Sequence, residues 1–271
     1  MFFSPPTFDR TDGVLIESFH GTDHVVEVHQ NRKFRWLQFE NEITQSAMWL
    51  RKPTRLILPY TQSMLTPLLF CPPPQRVLLL GLGGGSLLRH FLTYHPLVAI
   101  DVVERSGQVI AAARKYFEVS PQQPIFEEDA RDFLRRAGKP YDLILVDVFD
   151  RTGMPQWLVD DGFMRICSQR LEPSGALGIN TMPENKEDLG KLLMQLRALC
   201  NRHVLSATLR RYRNVMLFGF AQKPPIYHLD DLGRVARQLE RAQSIPFRSI
   251  LKNLRVSNRI VRREFFDYEL N

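Results

Sequence analysis

Two apolar rhythms alternate along most of the chain. Val77 to Leu80, Val98 to Val103 and Tyr141 to Val146 are short, nearly continuous apolar runs, the pattern of strands buried on both faces of a sheet. Between them apolar residues recur at helical spacing over Leu87 to Tyr94, Ser106 to Phe117 and Arg131 to Ala137. In the second of these, Val109, Ile110, Ala113 and Phe117 fall on one face, with Ser106 as the cap. A short strand near Pro124 to Glu127 precedes the third. A helix from Val159 to Leu171, a Pro173-Ser174-Gly175 turn, a strand from Ala176 to Thr181 and a helix from Lys186 to Asn201 follow. Two successive strands, Val204 to Leu209 and Val215 to Ala221, close the series. Strands alternating with helices predict an α/β, doubly wound, mostly parallel sheet whose last strand is antiparallel.

The flanks read differently. Val14 to Phe39 alternates and is rich in Val, Phe, Trp and His, with turns at Gly21-Thr22-Asp23 and Gln30 to Lys33. This predicts a small antiparallel β-domain of about three strands. Ser46 to Pro59 carries no period, and Tyr60 to Phe70 reads as a helix interrupted by Pro67. Cys71-Pro72-Pro73-Pro74 is a stiff connector into the first buried strand. From Leu229 onward the chain is helical in pattern and rich in arginine. The expected organisation is therefore 1–70 for the β-domain and connecting helix, 71–225 for the ligand-binding sheet domain and 226–271 for a basic helical tail.

The chemistry gathers at strand ends. Gly81-Leu82-Gly83-Gly84-Gly85 follows the first buried strand, and Ser86 is placed to cap the next helix. Glu104 ends the second strand about twenty residues past the glycines, where an acid accepts hydrogen bonds from both hydroxyls of a ribose. The G-x-G-G-G spacing differs from the G-x-G-x-x-G of dinucleotide sites. It points to an adenosyl ligand without phosphates, such as a sulfonium. Asp129 and the pair Asp147 and Asp150 add further acids at the same edge of the sheet. Crowded acids demand a cation or a set of donors, and a sulfonium with an amine substrate supplies both. Asp147 is then placed to take a proton from an attacking amine. The structural alternative for each is plain: tight turn, solvated strand end, loop cap.

Composition narrows the field. The chain has 271 residues, 44% hydrophobic and 24% charged, and no apolar run long enough to span a bilayer. Its start, MFFSPPTFDR, lacks the pattern of a secretory leader, and Cys71, Cys167 and Cys200 suit a reducing cytoplasm better than a disulfide frame. His20, His24 and His29 fall on different strand faces, so no metal is expected. The net charge of +7 is concentrated in Arg202, Arg210, Arg211 and Arg213 and then from Arg234 to Arg263. With acids interleaved, a solvated helix face accounts for this as well as a nucleic-acid surface does, so a nucleic-acid partner is left open but not favoured. A membrane partner is not expected.

From about Arg32 to Ala221 the chain resembles the spermidine synthase (polyamine aminopropyltransferase) family. The markers are Gln45, Tyr60, VLLLGLGGG, VVE at Val102 to Glu104, EDARDFL at Glu128 to Leu134, YDLILVD with Asp150, GMPQWLVDDGF, and PSGALGIN ending at Asn180. The resemblance implies a methyltransferase-like Rossmann domain behind an N-terminal β-domain, and a homodimer paired through that β-domain. It also implies that Gln45, Gly81, Gly83, Gly85, Glu104, Asp129 and Ala130 hold the nucleoside of decarboxylated S-adenosylmethionine, with Asp129 at the adenine amino group. Asp147 would be the base, with Asp150 and Tyr60 helping to place an amine substrate. Three positions depart from the family's pattern. Gly84 stands where the family's loop carries an Asp, Thr61-Gln62 where it has His-Glu, and Arg151 where it usually has Pro. The reading is an aminopropyltransferase. The alternatives are an S-adenosylmethionine-dependent methyltransferase and a catalytically silent binding or assembly protein.

Overall fold

The computed structural model describes residues 8–21, 25–39, 44–150, 153–209, 212–258, 260 and 263–266. His24, Arg151, Arg210 and Arg211 lie outside the described residues. The N-terminal strands β1 (Val14–His20), β2 (Val25–Gln30), β3 (Phe34–Phe39) and β4 (Thr44–Trp49) pair in chain order as an antiparallel sheet. The fourth strand is a correction to the sequence reading, which left Ser46 to Pro59 without structure. Its buried residues, Ser46, Ala47 and Met48, are consecutive rather than alternating, so no period of two marks it. Pairing with β3, from Phe34↔Trp49 to Gln38↔Thr44, holds it.

Helix α1 (Pro59–Ser63) and a 3-10 turn over Thr66–Leu69 replace the single interrupted helix, the break falling just before Pro67. The central sheet then builds from β5 (Arg76–Leu80), α2 (Ser86–Tyr94), β6 (Ala99–Glu104), α3 (Gly107–Tyr116), β7 (Phe126–Glu127), α4 (Ala130–Arg135) and β8 (Tyr141–Val146). After a 3-10 turn over Gln156–Leu158 come α5 (Asp161–Gln169), β9 (Leu171–Thr181), α6 (Lys186–Leu199), β10 (Val204–Thr208) and β11 (Val215–Phe220). The strand order is β10-β11-β9-β8-β5-β6-β7, and β11 runs antiparallel to both its neighbours. Along β5, Val77 and Leu79 face one apolar cluster and Leu78 and Leu80 the other, which is why the run is apolar without alternation.

Two local readings change. The Pro173-Ser174-Gly175 turn lies inside β9: Tyr141 pairs with Leu171 but Leu143 with Ala176, so the extra residues bulge out of the ladder. At the start of α2 the capping position is Gly85, left-handed at φ 69°, and Ser86 is the first helical residue. The chain ends in α7 (Leu229–Gln243) and α8 (Phe247–Ser257). Their buried Leu232, Ala236, Ile250, Leu251 and Leu254 join the same apolar cluster as Phe70, Phe220 and Phe265. Among the described residues no helix is long and apolar enough to cross a membrane, and Cys71, Cys167 and Cys200 are all free thiols.

Candidate active site

Strand register brings the candidate residues together. Leu80 pairs with Val103 on one side and with Val146 on the other, so Gly81, Glu104 and Asp147 leave the sheet side by side. Gly81 N–H continues the ladder to Val103 O at 2.8 Å, and Asp147 N–H donates to Leu80 O at 2.8 Å. Gly81 has φ 95°, and a Cβ there would stand 2.1 Å from Asp147 O. Any side chain at 81 would therefore push Asp147 off its strand end. Gly83 is also left-handed, at φ 52°.

Arg89, buried in α2, holds the loop from below. It donates to Gly84 O and Phe117 O through Nη1 and to Pro53 O through Nε. A Cβ on Gly84 would meet Ser46 Oγ and Phe117 Cδ1, each at 2.9 Å. The space in which the family's acid would begin is thus occupied by β4 and the end of α3.

A cleft opens over these strand ends, lined by Gln45, Gly81, Gly83, Glu104, Asp129, Ala130, Asp147, Asp150 and the Trp157 ring among others. The open space over them, solvent at the mouth included, is about 840 Å³. Glu104 accepts from Leu82 N–H at 2.9 Å on Oε2 and from Ser106 N–H at 2.9 Å on Oε1. Both oxygens are fixed by backbone N–H groups. Burial pushes its carboxyl up, against the pull of those backbone donors. Asp129 caps α4 and is already held by Arg131 through Nε at 2.9 Å and Nη2 at 2.8 Å, which keeps its carboxyl low. The Arg131 guanidinium lies 4.9 Å from the centre of the Trp157 ring.

A smaller chamber adjoins the cleft and shares Gln45, Gly81, Gly83 and Asp147 with it. Ser46, Tyr60, Thr61 and Ser86 complete its polar lining, and the Ser46 and Ser86 hydroxyls are 3.2 Å apart. Tyr60 O–H donates to Gln45 O at 2.7 Å, and burial, then the nearby Asp147, holds its phenol well above the usual range. Gln62 is turned away, its amide donating to Leu56 O at 2.8 Å. No cation lines the chamber among the described residues.

Asp147 stands at the junction. Burial pushes its carboxyl up to about 6, against the pull of Asn180 Nδ2, which donates to Oδ1 at 2.8 Å, and aided by the Glu104 charge. Asn180 Oδ1 accepts in turn from Asn214 Nδ2 at 2.9 Å. Asp150 closes its own loop, with Oδ1 accepting from Gly153 N–H at 3.1 Å and its backbone bridging Gly153. Sequence reasoning missed Ser46, Arg89, Asn214 and the Arg131–Trp157 pair, and used Asn180 only as the end of a motif.

The sheet order, with the glycine turn after β5 and the acid at the end of β6, defines an α/β protein with a cleft over the carboxyl ends of its strands. The chain belongs to the spermine/spermidine synthase family, whose domain matches residues 59–229. It is 30% identical over 237 residues to a polyamine aminopropyltransferase of Neisseria meningitidis serogroup A, covering 86% of this chain and 90% of the relative. The fold resembles a probable spermidine synthase from Corynebacterium glutamicum with a TM-score of 0.69 at 19% identity, over 92% of this chain and 98% of that one. A spermidine synthase in complex with the transition state analogue AdoDATO matches with a TM-score of 0.62 at 20% identity, over 89% and 88%.

Proposed function

We propose that this chain moves the aminopropyl group of decarboxylated S-adenosylmethionine onto the nitrogen of a small amine. The observation that carries this reading is the place of Asp147, between the cleft over the strand ends and a chamber whose described lining holds a carboxylate and no cation. The Neisseria relative's name supports the same chemistry.

In this reading Glu104 takes the ribose hydroxyls, and Gly81 and Gly83 let the nucleoside lie against backbone. Gly85 turns the loop into α2, while Asp129 and Ala130 border the adenine. Gln45 and Tyr60 close the site over the donor. The acceptor arrives as an ammonium beside Asp147 and Asp150. Asp147 removes one proton, and the freed lone pair attacks the methylene carbon bonded to sulfur. A C–N bond forms, the C–S bond breaks, and its electron pair returns to sulfur as the neutral thioether methylthioadenosine. The sulfonium charge passes to the new, longer amine.

Gly84 favours a second reading, methyl transfer from intact S-adenosylmethionine, because the loop lacks a carboxylate that would repel the methionine carboxylate. The chamber weighs against it: a carboxylate tail would sit near Asp147 with no described cation lining the space. Titration calorimetry with S-adenosylmethionine, its decarboxylated form and methylthioadenosine separates the two. The proposal expects the decarboxylated donor to bind at least tenfold more tightly than S-adenosylmethionine. The reverse order overturns it.

A further inference from the structure

The arginines of the C-terminal helices lie outside the site and have a shape of their own. On α7, Arg234, Arg237 and Arg241 recur at three- and four-residue spacing, so they form one stripe along the helix. On α8, Arg248, Lys252 and Arg255 do the same. All six are exposed. The apolar residues of both helices are committed to the core, which fixes the rotation of each helix. The two stripes, with Arg263, line two adjoining depressions that share Arg234 and Arg237.

Acids neutralise only part of this face. Asp231 pairs with Arg234 and Asp230 with Arg263 as exposed pairs of the kind that hold weakly, whereas Glu240, largely buried, holds Arg248 through Nε and Nη2, both at 3.0 Å. Arg237, Arg241, Lys252 and Arg255 have no acid partner among the described residues. Among the described residues the trough carries more fixed cations than counter-charges, which makes it complementary to a chain of anions.

We propose that the trough between α7 and α8 binds the phosphodiester backbone of a single-stranded nucleic acid. The composition selects phosphate: the stripes are almost all arginine, whose planar fork matches a phosphate oxygen pair. A membrane surface fits poorly, because the cations line a concavity whose apolar lining among the described residues is Leu229, Leu251 and Ala242. Among the described residues no aromatic ring lines it, so these give bases no platform and recognition is of the backbone, independent of sequence.

The test is fluorescence anisotropy of a labelled polyuridine of about 20 nucleotides, a length that exceeds a single-strand site. Four phosphate contacts on a single strand give a slope of about −3 in log K against log salt, or about a 50-fold loss between about 50 and 200 mM salt. The triple variant Arg237→Glu, Lys252→Glu and Arg255→Glu should lose at least tenfold in affinity at the lower salt while melting and transferring as the parent does. A labelled polythymidine arm tells RNA from DNA; binding of either supports the proposal. Binding that ignores salt, or that survives the triple variant, overturns it. So does tighter binding of a polyglutamate peptide or of phosphatidylserine vesicles than of either nucleic acid.

Discussion

Asn180 and Asp147 stand across the β8–β9 pair, and the Asn180 amide donates to the Asp147 carboxylate at 2.8 Å. Register makes this unavoidable, since Val146 pairs with Ile179 and the next residue on each strand is the interacting one. Asn214, just before β11, fixes which way the Asn180 amide faces. Asparagines on β9 and before β11 therefore set the orientation of an acid on the neighbouring β8 end.

That relation predicts a pH effect. The base acts ionised, so transfer should rise with pH through the Asp147 pKa of about 6 and level off above it. Asn180→Leu removes a donor to the charged form, worth about 1.5–3 kcal/mol, and should move this limb up by about one to two pH units. Asn214→Ala should move it the same way by less. A rate profile from pH 5 to 9 checks both, and a scaled profile with an unmoved limb would show that the asparagines are only structural.

Glu104→Gln should weaken methylthioadenosine binding by about 2–3 kcal/mol, roughly 30- to 150-fold in Kd. The amide cannot accept from both Leu82 and Ser106 N–H groups through separate oxygens, so one backbone donor faces an NH₂. Calorimetry on parent and variant reads the difference directly. Equal affinity would remove Glu104 from the nucleoside site.

Gly81→Ala is expected to cost about 3 kcal/mol or more of stability, through a left-handed backbone and a 2.1 Å approach to Asp147 O. Urea unfolding measures it. Gly153, also at positive φ but with open space around it, should cost less on the same substitution because only the backbone term remains.

The assembly prediction rests on β1, the edge of the N-terminal sheet, where Val14, Leu15 and Ile16 are 61%, 52% and 40% exposed. Consecutive apolar residues on an edge with no second partner strand among the described residues invite a second copy. Light scattering should find a homodimer at micromolar protein, and Leu15→Glu should shift it toward monomer with the melting of the sheet domain retained.

The sheet domain was legible because its strands are buried on both faces and its helices on one, so the two periods separate cleanly from Val77 to Phe220. Glu104, Asp147 and the glycines could be read for the same reason: each directly follows an unmistakable apolar run. Strand β4 could not, because Ser46 and Ala47 are buried by a neighbouring strand and loop rather than by their own hydrophobicity. With β4 went Ser46 and the chamber it lines. Asn214 sits in a connection whose only cue is its distance in sequence from everything it touches, and only the antiparallel register of β11 brings it to Asn180.

The central claim is that Asp147 is the base of an aminopropyl transfer. Burial raises its folded pKa to about 6 from the ordinary 3.8, so between those values the folded chain keeps a proton that the unfolded chain has lost. Stability therefore falls as pH rises across that window, and Asp147→Asn should remove the slope rather than damage the fold. The direct measurement is methylthioadenosine release from decarboxylated S-adenosylmethionine and a panel of diamines, run beside methylthioadenosine binding on the same Asp147→Asn preparation. The account predicts release coupled one-to-one to a lengthened amine in the parent, a loss of about 10²–10⁴ in rate in the variant, and binding changed little. Release as fast in Asp147→Asn as in the parent, or S-adenosylhomocysteine formed from S-adenosylmethionine in place of methylthioadenosine, would contradict it.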